Sequence, residues 1–151
     1  MKQEDKELLL RDLCARLPYG VKVSYIADDY EHDVVSIHTQ LKNAVRINGK
    51  RPSSKYDKGP EIVESWTDVK CIKPYLFLLS SMTDEQEKEL HNIQGVLTVD
   101  FELEEYKMVH LFQSQNVIDW LNKNHFDYRG LIEAGLAIDA TGLNVYKEET
   151  K

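Results

Sequence analysis

The first predicted element is an amphipathic helix. Apolar residues recur every three or four positions over residues 3–17, and charged residues, among them Asp12 and Arg16, fill the remaining positions. Pro18 ends the pattern, because the residue before a proline resists the α region. The sequence therefore predicts a helix with one apolar face and a polar face that carries Asp12 and Arg16.

Three strands are predicted next. Residues 21–26 alternate between apolar and polar, and residues 34–39 are rich in β-branched side chains. The polar stretch 28–33 between them predicts the connection of an antiparallel hairpin. Residues 43–47 predict a third, short strand.

Turn residues interrupt the pattern after the third strand. Asn48-Gly49 is a turn signal, and prolines, serines and a glycine follow it, so we expect an exposed loop at about 49–60. Pro74 lacks the amide that a sheet ladder needs, which argues against a central strand beginning there.

The remaining chain predicts further helices and two more strand regions. Thr83 and Gln86 form a capping-box pattern that begins a helix over 84–93 with a thin apolar stripe. The alternation at 96–103 predicts a strand. Ser114 is a good N-cap for a helix through Asn124, with Val117, Ile118 and Leu121 toward the core.

The C-terminal region predicts a short helix and a small hairpin. Asp127 is placed to cap a helix that ends at Gly135, and Thr141-Gly142 forms the predicted hairpin turn. This order of elements indicates a single α+β domain over residues 1–151, with an antiparallel or mixed sheet covered on one side by three to four helices.

Composition restricts the protein class. A chain of 151 residues with 42% hydrophobic residues fits one domain. No apolar run approaches the roughly 20 residues that cross a bilayer, and the acidic N-terminus is unlike a secretory signal, so we expect a cytoplasmic protein without membrane contact. Cys14 and Cys71 are expected to be buried free thiols.

One basic segment stands out in a chain of net charge −7. Residues 42–58 hold six basic residues and a single acid. Its cations and an aromatic ring could contact phosphate and a base in a nucleic acid, with the candidate residues Arg46, Lys50, Arg51, Lys55 and Tyr56. A solvated loop and intramolecular neutralisation of the acidic remainder are the alternatives.

No catalytic, cofactor or metal site is predicted. The acidic stretch 28–33 could gather oxygens around a cation, but it lacks the spacing of an EF-hand, and a solvated hairpin turn is the simpler interpretation. The five histidines are widely separated, and Ser80 and Ser81 precede a capping box, so neither a zinc pair nor a nucleophile motif emerges.

Three sequence segments resemble segments of small uncharacterised proteins from intestinal anaerobic bacteria and their prophages or conjugative elements. The segments are Asp12-Leu-Cys-Ala-Arg-Leu-Pro-Tyr-Gly-Val21, Lys73-Pro-Tyr-Leu76 with Ser80-Ser-Met-Thr83, and His125-Phe-Asp-Tyr-Arg-Gly-Leu-Ile132 with Gly135-Leu-Ala137. The resemblance implies a bacterial cytosolic accessory protein. It implies no activity, cofactor or catalytic residue.

The sequence therefore favours a protein that is not an enzyme and that acts by binding another protein. Trp120, Phe126 and Tyr128 are the candidate interface residues, because protein interfaces favour aromatic anchors. A nucleic-acid-binding accessory factor that uses residues 42–58 is the first alternative, and an enzyme of unknown type is the second.

Overall fold

The computed structural model describes residues 1–28, 30–38, 44–51, 61–94 and 115–146. Its centre is a mixed sheet of six strands in the order β4-β3-β2-β1-β5-β6. All neighbouring strands are antiparallel except β5 and β6, which are parallel. The strands are β1 (Lys22–Tyr25), β2 (Glu31–His38), β3 (Ala44–Arg51), β4 (Glu61–Asp68), β5 (Ile72–Leu76) and β6 (Ile138–Asp139).

Within the described residues, three α-helices accompany the sheet: α1 (Gln3–Arg16), α2 (Asp84–Gln94) and α3 (115–123). Helix α1 packs its leucines against one face of the sheet. Leu9, Leu10 and Leu13 form a buried cluster with Val23, Val45 and other residues of β1, β2, β3 and β5. Burial of apolar area is the main favourable term in folding, so this contact between α1 and the sheet forms the principal core.

A buried ion pair on α1 connects this core to the C-terminal region. Asp12 and Arg16 are both fully buried, and the Arg16 Nε donates to Asp12 Oδ2 at 2.8 Å while its Nη2 donates to Asp12 Oδ1 at 3.0 Å. Arg16 Nη2 also donates to the carbonyl oxygen of Phe126 at 2.8 Å, and Nη1 reaches that of Leu121 at 3.4 Å. The expected polar face of α1 is thus wrong at Asp12 and Arg16, because distant carbonyls complete the guanidinium's hydrogen bonds.

A second arginine extends this buried network toward the surface. Arg129 Nε lies 3.3 Å from Asp12 Oδ1, so one carboxylate faces two guanidinium groups. The Tyr128 ring is close to both, with the Arg16 and Arg129 Cζ atoms 5.6 and 4.9 Å from its centroid. The Tyr128 hydroxyl accepts from Arg129 Nη2 and donates to Asn122 Oδ1 at 3.1 Å. Side chains from α1, α3 and the segment after α3 are therefore fixed together.

The segment 127–136 closes with a Schellman motif. The Asp127 carboxylate accepts from the backbone amides of Arg129, Leu131 and Ile132. Gly135, at φ +70°, donates to the Ile132 carbonyl, and Leu136 donates to the Leu131 carbonyl at 2.8 Å. The left-handed stop predicted at Gly135 is confirmed. The chain between Asp127 and Gly135 forms turns, so the predicted helix with Asp127 as its cap is wrong.

The α+β class, an antiparallel hairpin of β1 and β2, and the start of α2 are confirmed. The bounds of the hairpin connection expected at 28–33 are wrong, because Glu31–Asp33 belong to β2 and pair with β1. In the capping box, Thr83 N donates to Gln86 Oε1 at 2.9 Å and Gln86 N donates to Thr83 Oγ1 at 3.3 Å. Helix α2 buries no residue fully, in agreement with its thin apolar stripe. Ile118 of α3 is exposed, in contrast to the core position expected for it.

The turn expected at Asn48-Gly49 is wrong. Both residues lie inside β3, which runs on to Arg51 and pairs with β4 along its whole length. The loop expected at 49–60 is therefore wrong over residues 49–51, and positions 52–60 lie outside the described residues. Pairing with a long β4 overrides the local turn preference of Asn-Gly.

Pro74 lies within β5, a strand with neighbours on both sides. Ile26 N donates to Cys71 O at 3.0 Å, which fixes the alternation of hydrogen-bonded pairs between β1 and β5. By that alternation Val23 and Pro74 form a non-hydrogen-bonded pair, so β1 requires no amide from Pro74. On the other side, the pairing with β6 begins only at Tyr75. The sequence argument against a central strand at Pro74 is therefore wrong, and β5 begins two residues earlier, at Ile72.

Three other expectations have different outcomes. The terminal hairpin is wrong within the described residues, because Ile138 and Asp139 pair in parallel with β5 instead. Both cysteines are free thiols, but Cys14 is exposed and Cys71 only half-buried. The predicted strand at 96–103 and the N-cap Ser114 lie outside the described residues. Within the described parts of the chain, no helix is long and apolar enough to cross a membrane.

Removing Asp12 should destabilise the protein strongly. Asp12→Ala leaves the buried Arg16 without its counter-charge, and breaking a buried pair in this way typically costs about 3–5 kcal/mol. The free energy of unfolding from urea titration should fall by that amount. Glu7→Ala on the exposed side of the same helix is the matched control and should change it by less than about 0.5 kcal/mol. Equal effects of the two substitutions would show that the buried pair is not a major constraint.

Candidate interaction surface

The sheet has a second face, which α1 does not cover. Val45 and Ile47 of β3 point into the core, and Arg46 between them points the other way. Cross-strand pairing places Arg46 opposite Trp66 of β4. We call the surface formed by His38, Arg46, Ile62, Glu64 and Trp66 the outer face.

Where β4 contributes to the outer face, two of its apolar side chains are exposed. Trp66 is 54% exposed and Ile62 is 68% exposed. The His38 ring meets the Trp66 indole at a centroid distance of 4.9 Å in an edge-to-face arrangement, which fixes the orientation of the indole. A large aromatic ring that is both oriented and exposed is typical of the anchors in protein interfaces.

Sequence reasoning alone misses Trp66 and His38. The stretch 61–65 is ambiguous in sequence, and its pattern assigns Trp66 to no element. A period of two is nevertheless present, since Ile62, Glu64 and Trp66 alternate with Val63 and other residues of the opposite face. That alternation is the available signal.

The basic candidates for nucleic-acid contact do not form an isolated positive surface. Arg46 makes an ion pair with Glu64 on the neighbouring strand. The backbones of Lys50 and Arg51 lie in β3, opposite Ile62 and Glu61. Lys55 and Tyr56 lie outside the described residues. At Arg46 the structure therefore fits the intramolecular-neutralisation alternative.

The aromatic residues expected at an interface are largely interior. Trp120 is 6% exposed and Phe126 is 1% exposed, and their rings stack at 5.6 Å with an interplanar angle of 12°. Tyr128 is half-buried beside Arg16 and Arg129. The three side chains pack inside the fold. The burial of Trp120 and Phe126 does not fit an interface centred on them.

A buried histidine of β2, His32, contacts the connection between β1 and β2. His32 Nε2 lies 2.7 Å from Asp28 Oδ1, and the ring edge meets Tyr25 at 5.6 Å. The ring also lies directly over Gly49 of β3, where any Cβ would overlap His32 Cε1 and Nδ1. Gly49 is thus required by a close approach inside the sheet and not by a turn.

Another buried histidine supports the C-terminal segment. The rings of His125 and Tyr146 stack at 3.8 Å. The Tyr146 hydroxyl donates to the Tyr75 carbonyl at 2.8 Å and accepts from Lys22 N at 3.2 Å, so it joins β5 to the start of β1. Burial, and secondarily the nearby Arg16 charge, lowers the pKa of His125 to about 4. Burial raises the pKa of Tyr146. Both groups are therefore neutral near pH 7.

Neither histidine belongs to a metal cluster. Across the five described ranges, no three His, Cys, Asp or Glu side chains are grouped to hold a metal ion. The Asp28 carboxylate is paired with His32, and the Glu31 and Asp33 carboxylates each lie within 3.9 Å of the Lys22 ammonium.

Comparisons of this chain with family models, curated proteins and solved structures found no match.

Gly49→Ala should destabilise the protein although alanine normally suits a strand better than glycine. The new methyl group would overlap the His32 ring, and overpacking of this kind costs about 1–3 kcal/mol. The control is the same substitution in a His32→Ala background, where the space is open. Urea denaturation of the four proteins in this cycle measures the coupling. A Gly49→Ala cost that does not depend on His32 would contradict the close contact.

Acidification should destabilise the protein through His125. Its native pKa is about 4 and the ordinary histidine value is about 6.5, so between these values the unfolded chain binds the extra proton. The stability that neutral His125 contributes is complete above pH 6.5 and is lost as the pH falls toward 4. The loss should be roughly 3 kcal/mol, at 1.36 kcal/mol for each unit.

His125→Asn is the test variant, because asparagine tolerates the left-handed backbone at φ 58°. Its free energy of unfolding should depend less on pH between 4 and 6.5 than that of the wild type. Replacing the exposed His91 by glutamine should leave the wild-type pH dependence intact. The assignment fails if the His125→Asn curve is parallel to the wild-type curve.

Proposed function

We propose that this protein is a non-enzymatic binding protein whose partner is another protein and whose contact surface is the outer face at β4. The exposure of Trp66, held in one orientation by His38, is the observation that carries this proposal. Ile62 extends the apolar surface along the same strand. Exposed, oriented aromatic and aliphatic side chains of this kind are suited to displacing water from a partner.

Electrostatics favour a protein partner over a nucleic acid. Strand β3 contributes three basic residues and β4 three acidic residues, so the paired strands have no net charge. Arg46 is already paired with Glu64. The formal charge of −7 on the whole chain also disfavours phosphate binding.

The proposal includes a bacterial, cytoplasmic setting. Its support is the sequence resemblance to small proteins of intestinal anaerobic bacteria and their mobile elements, for which an accessory role is the implied one. Binding rather than catalysis also agrees with the structural use of the buried polar groups. Arg16 and Tyr146 donate hydrogen bonds that join different elements of the fold, and Asp12 accepts from Arg16 within α1.

Replacing Trp66 should remove partner binding without unfolding the protein. Trp66→Ser deletes an exposed ring, so the free energy of unfolding should change by less than about 1 kcal/mol. Affinity capture from host extract should recover at least one protein with the wild type and with Ile118→Ser, but not with Trp66→Ser. Ile118 is the matched control because it is an exposed apolar residue on α3. Identical capture profiles for all three proteins would contradict the proposed surface.

The same reasoning predicts no retention of single- or double-stranded nucleic acid at physiological salt. Electrophoretic mobility shifts at micromolar protein should show free DNA and RNA only. Binding that weakens with salt at a log-log slope of about −0.9 for each duplex phosphate would instead support the nucleic-acid alternative. Loss of that binding on changing Arg46, Lys50, Arg51 and Lys55 to glutamine would locate it in the basic segment.

A further inference from the structure

Residues 138–146 lie along β5 and are attached to it near both ends. We call this segment the strap. Its first residues form β6, and Ala140 N donates to Leu76 O at 2.7 Å. The next four residues, 141–144, are exposed, and the chain is buried again at Val145. Segments with a continuous exposed stretch between a few contacts are the ones that open locally while the rest of a protein stays folded.

Tyr146 attaches the second end of the strap. Its hydroxyl donates to the Tyr75 carbonyl and accepts from Lys22 N. Its ring stacks on the imidazole of His125 at 3.8 Å, nearly parallel, with an interplanar angle of 8°. His125 is buried in this arrangement. Detaching the strap therefore uncovers one face of the His125 ring.

The surroundings of His125 favour a neutral imidazole. Its Nδ1 is buried and has no hydrogen-bond partner among the described residues. The Arg16 guanidinium donates to the carbonyls of Leu121 and Phe126, which places a fixed positive charge nearby. Burial, and then this charge, lowers the pKa of His125. The face of the Tyr146 ring attracts cations, but burial and Arg16 oppose a charge at this position.

The carboxylates around the stacked rings are already engaged. They belong to Asp12, Asp33 and Asp127. Both oxygens of Asp12 accept from Arg16, and one of them also lies 3.3 Å from Arg129 Nε. The Asp127 carboxylate accepts from three backbone amides, and that of Asp33 lies 3.9 Å from the Lys22 ammonium. A proton added to His125 therefore gains no uncommitted counter-charge from these groups.

We propose that the strap is an acid-sensitive device: protonation of His125 detaches residues 138–146 from β5 while α1 and the sheet core remain folded. The charged imidazole is hydrated only when the Tyr146 ring leaves. Opening on the other side would separate Arg16 from Asp12, and breaking a buried ion pair is costly. The strap is thus the least costly part to release.

Release of the strap changes the surface at the β5 end of the sheet. The carbonyls of Tyr75 and Leu76 lose the hydrogen bonds that Tyr146 and Ala140 donate to them. Strand β5 then becomes an edge strand, at the opposite end of the sheet from β4. The device is therefore independent of the proposed contact surface at β4.

Native-state hydrogen exchange at pH 7.5 and 5.0, corrected for the intrinsic pH dependence of amide exchange, tests the proposal. The strap amides of Ala140 and Leu143 should open at least about tenfold more often than those of Leu13 in α1 and of Asp127. At pH 5.0 the opening constant of the strap amides should rise by about tenfold to thirtyfold. The upper value applies if His125 in the open state regains the ordinary pKa of about 6.5.

Two variants identify the trigger and the attachment. His125→Asn should keep the frequent opening of the strap amides and lose its pH dependence, whereas His91→Gln on the exposed surface of α2 should keep the wild-type response. Tyr146→Phe keeps the stacked ring and removes the hydroxyl. Its strap amides should open about threefold to tenfold more often at pH 7.5 and should still respond to acid.

Four results would overturn the proposal. If the strap amides open no more often than that of Leu13, the strap leaves only when the whole protein unfolds. If their opening does not depend on pH, or depends on it equally in His125→Asn, then His125 is not the trigger. Slower opening at pH 5.0 would show that the Tyr146 ring holds the charged imidazole in place. Unchanged opening in Tyr146→Phe would show that the hydroxyl does not attach the strap.

Discussion

The buried ion pair of Asp12 and Arg16 connects the two halves of this structure. Arg16 leaves α1 and donates to the carbonyl of Phe126, more than a hundred residues later in the chain. Two charges removed from water are costly unless every hydrogen bond is satisfied, so the pair tolerates few alternative arrangements. The position of α3 and the following segment relative to the sheet is thus coupled to the geometry of one guanidinium group.

That coupling explains where the aromatic residues of the C-terminal region lie. Phe126 presents its carbonyl to Arg16, and Trp120 stacks on the Phe126 ring. Tyr128 lies close to two guanidinium groups and shares its hydroxyl with Asn122. Residues that resemble interface anchors in the sequence are therefore part of the interior. The outer face of the sheet instead presents an exposed aromatic side chain, Trp66.

The two faces of the sheet have different roles because the side-chain period of a strand is two. The inner face supports α1 and buries Val45 and Ile47 of β3. The outer face combines apolar residues with charges that neutralise one another, as in the pair of Arg46 and Glu64.

Local signals in the sequence determined several elements directly. The capping box at Thr83 and the left-handed stop at Gly135 formed as predicted, because each depends on hydrogen bonds or steric limits within a few residues. The antiparallel hairpin of β1 and β2 also formed, but its pairing uses Glu31–Asp33, which the sequence assigned to the connection. The α+β class followed from the order of these elements. The charge composition also showed that residues 42–58 are basic within an acidic chain, but it assigned no function to them.

Only the tertiary structure decided the rest, because the deciding contacts are distant in sequence. Asn48-Gly49 extends β3 instead of turning, since eight residues of β4 pair with it and the His32 ring needs the space at Gly49. Arg16 is buried because the carbonyl of Phe126 accepts from it. A one-dimensional pattern records the polarity of Arg16 and Trp66, but their burial and exposure are set by partners that the fold brings together.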